Sequence, residues 1–137
     1  MGVVLDSTVL IGAERTGKNP RQVIEDIAAL LHDEEATISV VTIAELAHGI
    51  ERADSIARRA ARQRFIDELL NEISPESVNS PIAFRAGRLD GMLQAQGTRI
   101  ALAGLLIGAT ALELGYAVLT GNLRHFRMIP NLVVKQM

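Results

Sequence analysis

The chain has 137 residues, of which 48% are hydrophobic and 22% charged, so it is predicted to fold as one domain over residues 1–137 and not to be disordered. The absence of cysteine excludes disulfide bonds and thiolate metal sites, and it favours a reducing, cytoplasmic setting. The net charge of −2 argues against binding nucleic acid through overall positive charge, and the longest uncharged stretch, between Arg99 and Glu113, is too short to cross a bilayer.

The first third of the chain alternates predicted strands with predicted helices. A continuous apolar run over residues 3–5 is typical of a strand covered on both faces, and it ends at Asp6, which could cap a helical turn over residues 9–13. A polar loop follows, and Pro20 favours the start of a helix over residues 20–34, because proline suits the first turn. A second strand is predicted over residues 37–41.

The middle of the chain is predicted to be mainly helical. Thr42 and Glu45 have the spacing of a capping box, which predicts a helix with Thr42 as its N-cap and Glu45 in its first turn. A long helix carrying both basic and apolar residues is expected over residues 55–71, and a short, irregular strand within residues 73–78.

The last third returns to the alternating pattern. Helices are predicted over residues 80–96 and 103–114, the second very apolar and stopped by Gly115, followed by strands over residues 117–120 and 132–134. Strands alternating with helices predict an α/β fold of three layers, with a mostly parallel central sheet flanked by helices.

Three polar residues follow predicted strands and are candidates for a functional site. They are Asp6, Glu45 and Asn122. Sites in parallel α/β sheets form beyond the carboxyl ends of the strands, and Mg²⁺ takes oxygen ligands, often one or two carboxylates with several waters. Each residue also has a purely structural interpretation: Asp6 as a helix cap or surface acid, Glu45 as a capping-box glutamate and Asn122 as a turn residue.

Four segments resemble the motifs of PIN-domain toxins of the VapC type, in the order in which that family has them. Residues 4–11 resemble the opening motif, residues 40–50 the second motif, residues 105–115 the late helix, and residues 120–126 the family's T-x-N-x-R-H-F segment. The resemblance covers essentially the whole chain, and it implies a PIN-like fold and a Mg²⁺-dependent endoribonuclease, with Mn²⁺ as a possible substitute.

The resemblance also implies a role for individual residues. Asp6 and Glu45 match two acids of the metal site, and Asn122 matches a further catalytic position that is Asp or Asn in the family. The family also has small hydroxyl residues that support the metal site and bind the substrate. Their positions are occupied here by Ser7, Thr8 and Thr120.

Gly104 departs from the family pattern. It stands where the resemblance implies a metal-binding aspartate, and glycine has no side-chain oxygen to offer. We therefore expect a weakened metal site and impaired hydrolysis. Asp90 is considered as a substitute acid, but a surface acid paired with a neighbouring arginine fits its position better.

The remaining basic residues and histidines are interpreted separately. Arg124 and Arg127, just past Asn122, are candidates for contact with the RNA backbone. The cluster of basic residues further upstream is interpreted as the solvated face of a helix or as a contact for phosphate or an acidic partner; it comprises Arg52, Arg58, Arg59, Arg62 and Arg64. The histidines His32, His48 and His125 lack zinc-site spacing and are not assigned as ligands.

Two functions from different classes follow. The first is a VapC-like toxin, a homodimer that cleaves RNA and is bound by a VapB-type antitoxin. The second is a PIN module without catalytic activity, retained for binding antitoxin or RNA, and Gly104 is the residue that favours it. A phosphoacceptor receiver domain fits less well, because the paired acids such a domain has near its N-terminus are lacking.

Overall fold

A computed structural model describes residues 2–137, which form four strands and seven helices. In chain order the elements are β1 Gly2–Leu5, α1 Ser7–Arg15, α2 Pro20–Leu30, β2 Glu35–Thr37, α3 Val40–Glu51, α4 Ile56–Glu72, α5 Ser80–Ala95, α6 Leu102–Leu114, β3 Ala117–Thr120, α7 Leu123–Arg127 and β4 Val134–Gln136. Within this part of the chain, no helix combines the length and apolarity needed to span a membrane.

The four strands form one sheet in the order β2-β1-β3-β4, and every neighbouring pair is parallel. The central strand β1 has Val4 beside Thr37 of β2 on one side and beside Val118 of β3 on the other. Parallel pairing places the carboxyl ends of β1 and β3 at the same edge, and it brings the residues that follow these strands together.

The sheet is the middle of three layers. Successive side chains of a strand point to opposite faces, so Val3 and Leu5 belong to one apolar core while Val4 belongs to the other. Helices α1 to α4 supply the first core with residues such as Ile27 and Leu69, and α5 to α7 supply the second. The predicted three-layer α/β fold with a parallel sheet is confirmed.

The start of α3 differs from the prediction. The strand expected over residues 37–41 is instead β2, which ends at Thr37, and the helix begins at Val40. Ser39, not Thr42, is the N-cap, and its Oγ accepts a hydrogen bond from the N–H of Val41 at 3.1 Å. Glu45 is therefore in the second turn and forms no capping box. The β-branched residues from Val40 to Ile43 favour a strand locally, but a serine cap and tertiary packing override that preference.

Other boundaries also differ from the sequence-based expectations. Helix α1 begins at Ser7, and α2 ends at Leu30, where the chain turns through left-handed backbone at His32 and Asp33, with φ of 54° and 63°. The irregular strand expected within residues 73–78 is a single bridge between Ser39 and Glu76. Strand β4 begins at Val134, two residues later than the predicted strand, and the short helix α7 was not predicted.

Candidate active site

Asp6 is the buried centre of the site, with 6% of its surface exposed. It directly follows β1, and because Leu5 of β1 pairs with Leu119 of β3, Asp6 lies beside Thr120. The Oδ2 atom of Asp6 accepts hydrogen bonds from the hydroxyls of Thr8, at 2.7 Å, and Thr120, at 2.8 Å. Asp6 is the N-cap residue of α1, but its side chain makes no capping hydrogen bond, so the cap interpretation of this carboxylate is wrong.

The two threonine hydroxyls connect Asp6 to the loop after β3. Thr8 Oγ1 accepts a hydrogen bond from the N–H of Gly121 at 2.9 Å, and Thr120 Oγ1 accepts one from the N–H of Asn122 at 2.9 Å. Each hydroxyl has a single proton, and both protons are donated to Asp6. The carboxylate is thus held by two hydroxyls, each of which also accepts a hydrogen bond from a backbone N–H.

Asn122 and His125 lie at the rim of this network, and both are exposed. The Nδ2 of Asn122 is 3.4 Å from the Nδ1 of His125, and the backbone N–H of Asn122 bonds to Thr120. Asn122 is the N-cap residue of α7 without a side-chain capping bond. The structure thus brings Asn122 to the loop that holds Asp6.

Glu45, on α3, approaches Asp6 from a different element. Its pKa is raised above 4.5, first by burial and second by the negative charge of Asp6, while the hydroxyl of Ser7 acts in the opposite direction. One carboxylate oxygen, Oε1, is buried and has no hydrogen-bond partner among the described residues. Asp6, Ser7 and Glu45 are thus close enough to influence one another.

An open cleft lies next to these acids and reaches the start of α6. Ala103 lines this cleft together with Ser7, Glu45 and His48, and Gly104 follows Ala103 in the first turn of α6. A Cβ built on Gly104 would meet only Ile100 Cγ2, at 3.4 Å, which is an ordinary contact. At Gly108, by contrast, a Cβ would come within 2.6 Å of Ile129 Cδ1. Packing therefore explains the glycine at 108 but not the one at 104.

The donor set of the cleft is small. Within residues 2–137, no group of three His, Cys, Asp or Glu side chains is arranged to hold a metal ion. Asp6 and Glu45 nevertheless lie close together and offer two carboxylates, which fits the preference of Mg²⁺ for one or two carboxylates and several waters. The residues present therefore fit a weak Mg²⁺ site.

Two other charged groups have structural partners. Asp90 Oδ1 accepts a hydrogen bond from Gln94 Nε2 at 2.8 Å on its own helix, while Arg88 lies over the ring of Phe84 at 6.0 Å. Asp90 is therefore neither ion-paired with Arg88 nor among the residues that line the cleft.

Several arginines of the upstream basic cluster stabilise the end of α3. Arg62 donates to the carbonyl oxygen of Gly49, and Arg59 donates to that of Glu51 at 3.2 Å. Arg58 pairs with Asp54 at 3.4 Å. Carbonyl groups at the end of a helix lack internal partners, so these contacts support a structural interpretation of this part of the cluster.

An apolar groove adjoins the cleft on the side of α1, α3 and α4. It encloses about 140 Å³, and its walls include Leu10, Leu46 and Phe65. Its charged lining residues are Glu14, Arg15, Glu45 and Arg62. Glu45 thus lines both the groove and the cleft.

Comparisons with known proteins agree with this architecture. A family model described as "PIN domain" matches residues 3–131. Ribonuclease VapC1 of Rickettsia felis is 29% identical over 136 residues, covering 98% of this chain and 95% of that protein. Ribonuclease VapC of Rickettsia bellii is 28% identical, with 98% and 95% covered.

Solved structures of toxin–antitoxin complexes have the same fold. VapBC2 from Rickettsia felis, bound to a DNA fragment from its promoter, has a TM-score of 0.85 at 22% identity, with 100% of this chain and 99% of that chain covered. VapBC-1 from nontypeable Haemophilus influenzae has a TM-score of 0.81 at 25% identity, with 99% and 98% covered. The resemblance found in the sequence is confirmed.

Proposed function

The chain belongs to the PIN domain family, and from this premise we propose that it is a VapC-type toxin that hydrolyses RNA phosphodiester bonds, with an activity reduced by glycine at position 104. The observation that supports the reaction best is the mutual approach of two acids, Asp6 directly after β1 and Glu45 on α3. The curated relatives named ribonuclease VapC support the choice of RNA as substrate.

Asp6 and Glu45 are the residues that would hold Mg²⁺ or Mn²⁺. Both threonine hydroxyls bond to Oδ2 of Asp6, which leaves Oδ1 as the oxygen available to a cation. A bound divalent ion would neutralise charge on the phosphate and acidify the attacking water. Glycine at 104 removes a third carboxylate, so the affinity for the ion is low.

The other site residues orient the acids and the substrate. Thr8 and Thr120 fix the Asp6 carboxylate, and Ser7 acts on Glu45. Asn122, exposed at the rim, is proposed to contact the phosphate next to the bond that is cleaved. Arg124 and Arg127 are exposed on α7 directly after it, and they are proposed to bind the RNA backbone, since arginine contacts to phosphate give affinity without sequence preference.

The apolar groove is the proposed docking site of a VapB-type antitoxin. Because Glu45 lines both the groove and the cleft, a segment lying in the groove would reach the acids and block the cleft. The VapBC complexes among the structural neighbours support a partner of this kind. We also propose that the toxin is a homodimer and acts in the cytoplasm.

Substitution of Gly104 by Asp tests the proposed function. We expect Gly104→Asp to cleave single-stranded RNA with Mg²⁺ more than about 100-fold faster than the unmodified chain, because loss of a direct ligand exceeds the effect of an outer-shell change. Gly104→Asn is the matched control: it has the same size but no charge, and it should stay near the unmodified rate. Equal rates for all three proteins would contradict the proposal.

A second function is a binding module without catalysis. It is favoured by the finding that no three metal-ligating side chains are grouped within residues 2–137. A melting temperature that does not change with Mn²⁺ in either the unmodified chain or Gly104→Asp would support this function, because an ion that binds the folded state must stabilise it.

A further inference from the structure

Thr42 has a hydroxyl that the structure of the chain does not explain. The residue lies in the first turn of α3 and is 0% exposed, and its Oγ1 has no hydrogen-bond partner among the described residues. A buried hydroxyl without a partner is unfavourable, and valine would fill nearly the same space without that cost. The hydroxyl therefore calls for a partner from outside the protein chain.

The other buried threonines show how unusual this is. Thr37 donates to the carbonyl of Ser74 at 3.1 Å, Thr110 to that of Leu106 at 2.7 Å, and Thr120 to Asp6 at 2.8 Å. Thr110 uses the carbonyl four residues earlier in its own helix, which is the ordinary solution for a helical threonine. Thr42 does not form this bond, because the residue four positions earlier, Ile38, precedes the N-cap Ser39 and lies outside the helix. The oxygen of Ile38 instead accepts from the N–H of Glu76 at 2.7 Å.

A second buried oxygen without a partner lies one helical turn away. Glu45 Oε1 is three residues further along α3 than Thr42, and residues with this spacing lie on the same face, with Cβ atoms roughly 5–6 Å apart. One water molecule accepts a hydrogen bond from a hydroxyl and donates one to a carboxylate, each about 2.7–2.8 Å long. Buried waters characteristically satisfy such pairs of polar groups.

We propose that one ordered water molecule bridges Thr42 Oγ1 and Glu45 Oε1, so that Thr42 is a positioning residue for Glu45. The water fixes the Glu45 carboxylate in one orientation towards the cleft, much as Thr8 and Thr120 fix Asp6. The bridge itself does not depend on the proposed function. Only its effect on cation binding does.

High-resolution crystal structures of the unmodified chain, Thr42→Val and Thr42→Ser test the bridge directly. We expect a water within hydrogen-bond distance of both oxygens in the unmodified chain and in Thr42→Ser, and its loss in Thr42→Val. An unmodified chain in which no water bridges the two oxygens would overturn the proposal. So would a rise in Tm for Thr42→Val, since valine stabilises the protein only where the hydroxyl has no partner.

Cation binding separates positioning from a merely structural role. In the Gly104→Asp background, Thr42→Val is expected to weaken Mn²⁺ binding about tenfold and Thr42→Ser to restore it, as is typical of outer-shell contacts. Thr110→Val, which removes an equally buried hydroxyl that bonds only within α6, should leave Mn²⁺ affinity unchanged. Unchanged affinity in Thr42→Val would overturn the positioning role. If Gly104→Asp itself binds no Mn²⁺, the proposed function fails, while the crystal structures and Tm values still decide the bridge.

Discussion

The candidate active site has two sides whose polar groups are held in different ways. On the strand side, defined by Asp6, Thr8, Thr120 and Asn122, each threonine hydroxyl both donates to Asp6 and accepts a backbone N–H. On the helix side, defined by Thr42, Glu45 and Gly104, two buried oxygens have no protein partner and one position has no side chain. The strand side holds its acid through two protein hydroxyls, whereas Glu45 on the helix side has the Ser7 hydroxyl and the water molecule proposed above.

This contrast indicates which of the two acids is affected when position 104 has no carboxylate. Both hydroxyls that hold Asp6 belong to residues outside α6, so Asp6 keeps its orientation whether or not position 104 carries a carboxylate. Glu45 has only the Ser7 hydroxyl for support, and its buried Oε1 has no partner among the described residues. The cleft therefore retains a preorganised half on which a missing ligand could be restored by one substitution.

The largest effect is expected for Asp6→Asn. In the Gly104→Asp background, this change removes the charge of the acid in the preorganised half, and RNA cleavage should fall more than about 100-fold, beyond the range of outer-shell changes. Cleavage of single-stranded RNA with Mg²⁺ measures it. Asp90→Asn is the control, because that carboxylate bonds to Gln94 on α5, and its rate should not change. Cleavage by Asp6→Asn at an undiminished rate would refute the role of the strand side.

A smaller loss is expected for Thr120→Val in the same background. The change removes one of two donors to Asp6 and leaves the N–H of Asn122 without its acceptor. Cleavage should fall about 10–100-fold, and stability by about 1–3 kcal/mol in urea unfolding. Thr110→Val should lose stability but not cleavage, since its hydroxyl bonds only within α6. An equal loss of cleavage in both variants would show that the effect is one of stability alone.

Much of the strand side could be predicted from the sequence. A buried apolar strand ending in Asp6, and another ending at Thr120 just before Asn122, place these residues at one edge of a parallel sheet. The bonding of both hydroxyls to a single carboxylate oxygen could not be predicted, because it depends on the register between β1 and β3.

The helix side was harder to predict. The run of β-branched residues from Val40 to Ile43 favours a strand, and only the buried Ser39 cap and tertiary packing show that α3 begins there. Helix α7 has five residues, too few for a periodic pattern to emerge. Gly104 was identified by resemblance alone, since nothing in the local sequence distinguishes it from an ordinary small residue at a helix start.

The two glycines of α6 provide a stability test of the open space at position 104. Gly104→Ala should raise the free energy of unfolding by about 0.5–1 kcal/mol, because alanine favours a helix and its Cβ meets only an ordinary contact. Gly108→Ala should lower it by about 1 kcal/mol, since its Cβ would collide with the buried Ile129, and overpacking costs about 1–3 kcal/mol. Urea unfolding of both variants measures the difference. Destabilisation by both would mean that packing requires glycine at 104 as well.

The smallest effect is a pH dependence expected from Glu45→Gln. Burial and the charge of Asp6 raise the pKa of Glu45 in the folded protein, so the ionised carboxylate costs stability at neutral pH. This cost fades as the pH falls through the folded pKa towards 4.5, the value without these influences, because the folded state then takes up the proton. Glutamine has nearly the same shape and no charge, so Glu45→Gln should have the higher Tm at pH 7, and the gain should disappear towards pH 4.

The control for this pH dependence is Glu68→Gln, which changes an exposed residue of α4. Its Tm should stay close to that of the unmodified chain, because substitutions of exposed residues usually change stability little. If Glu45→Gln behaves in the same way, or loses stability at pH 7, then the Glu45 carboxylate is already stabilised in the folded protein. The helix side would then be as well organised as the strand side, and the contrast between the two halves of the cleft would fail where Glu45 is concerned.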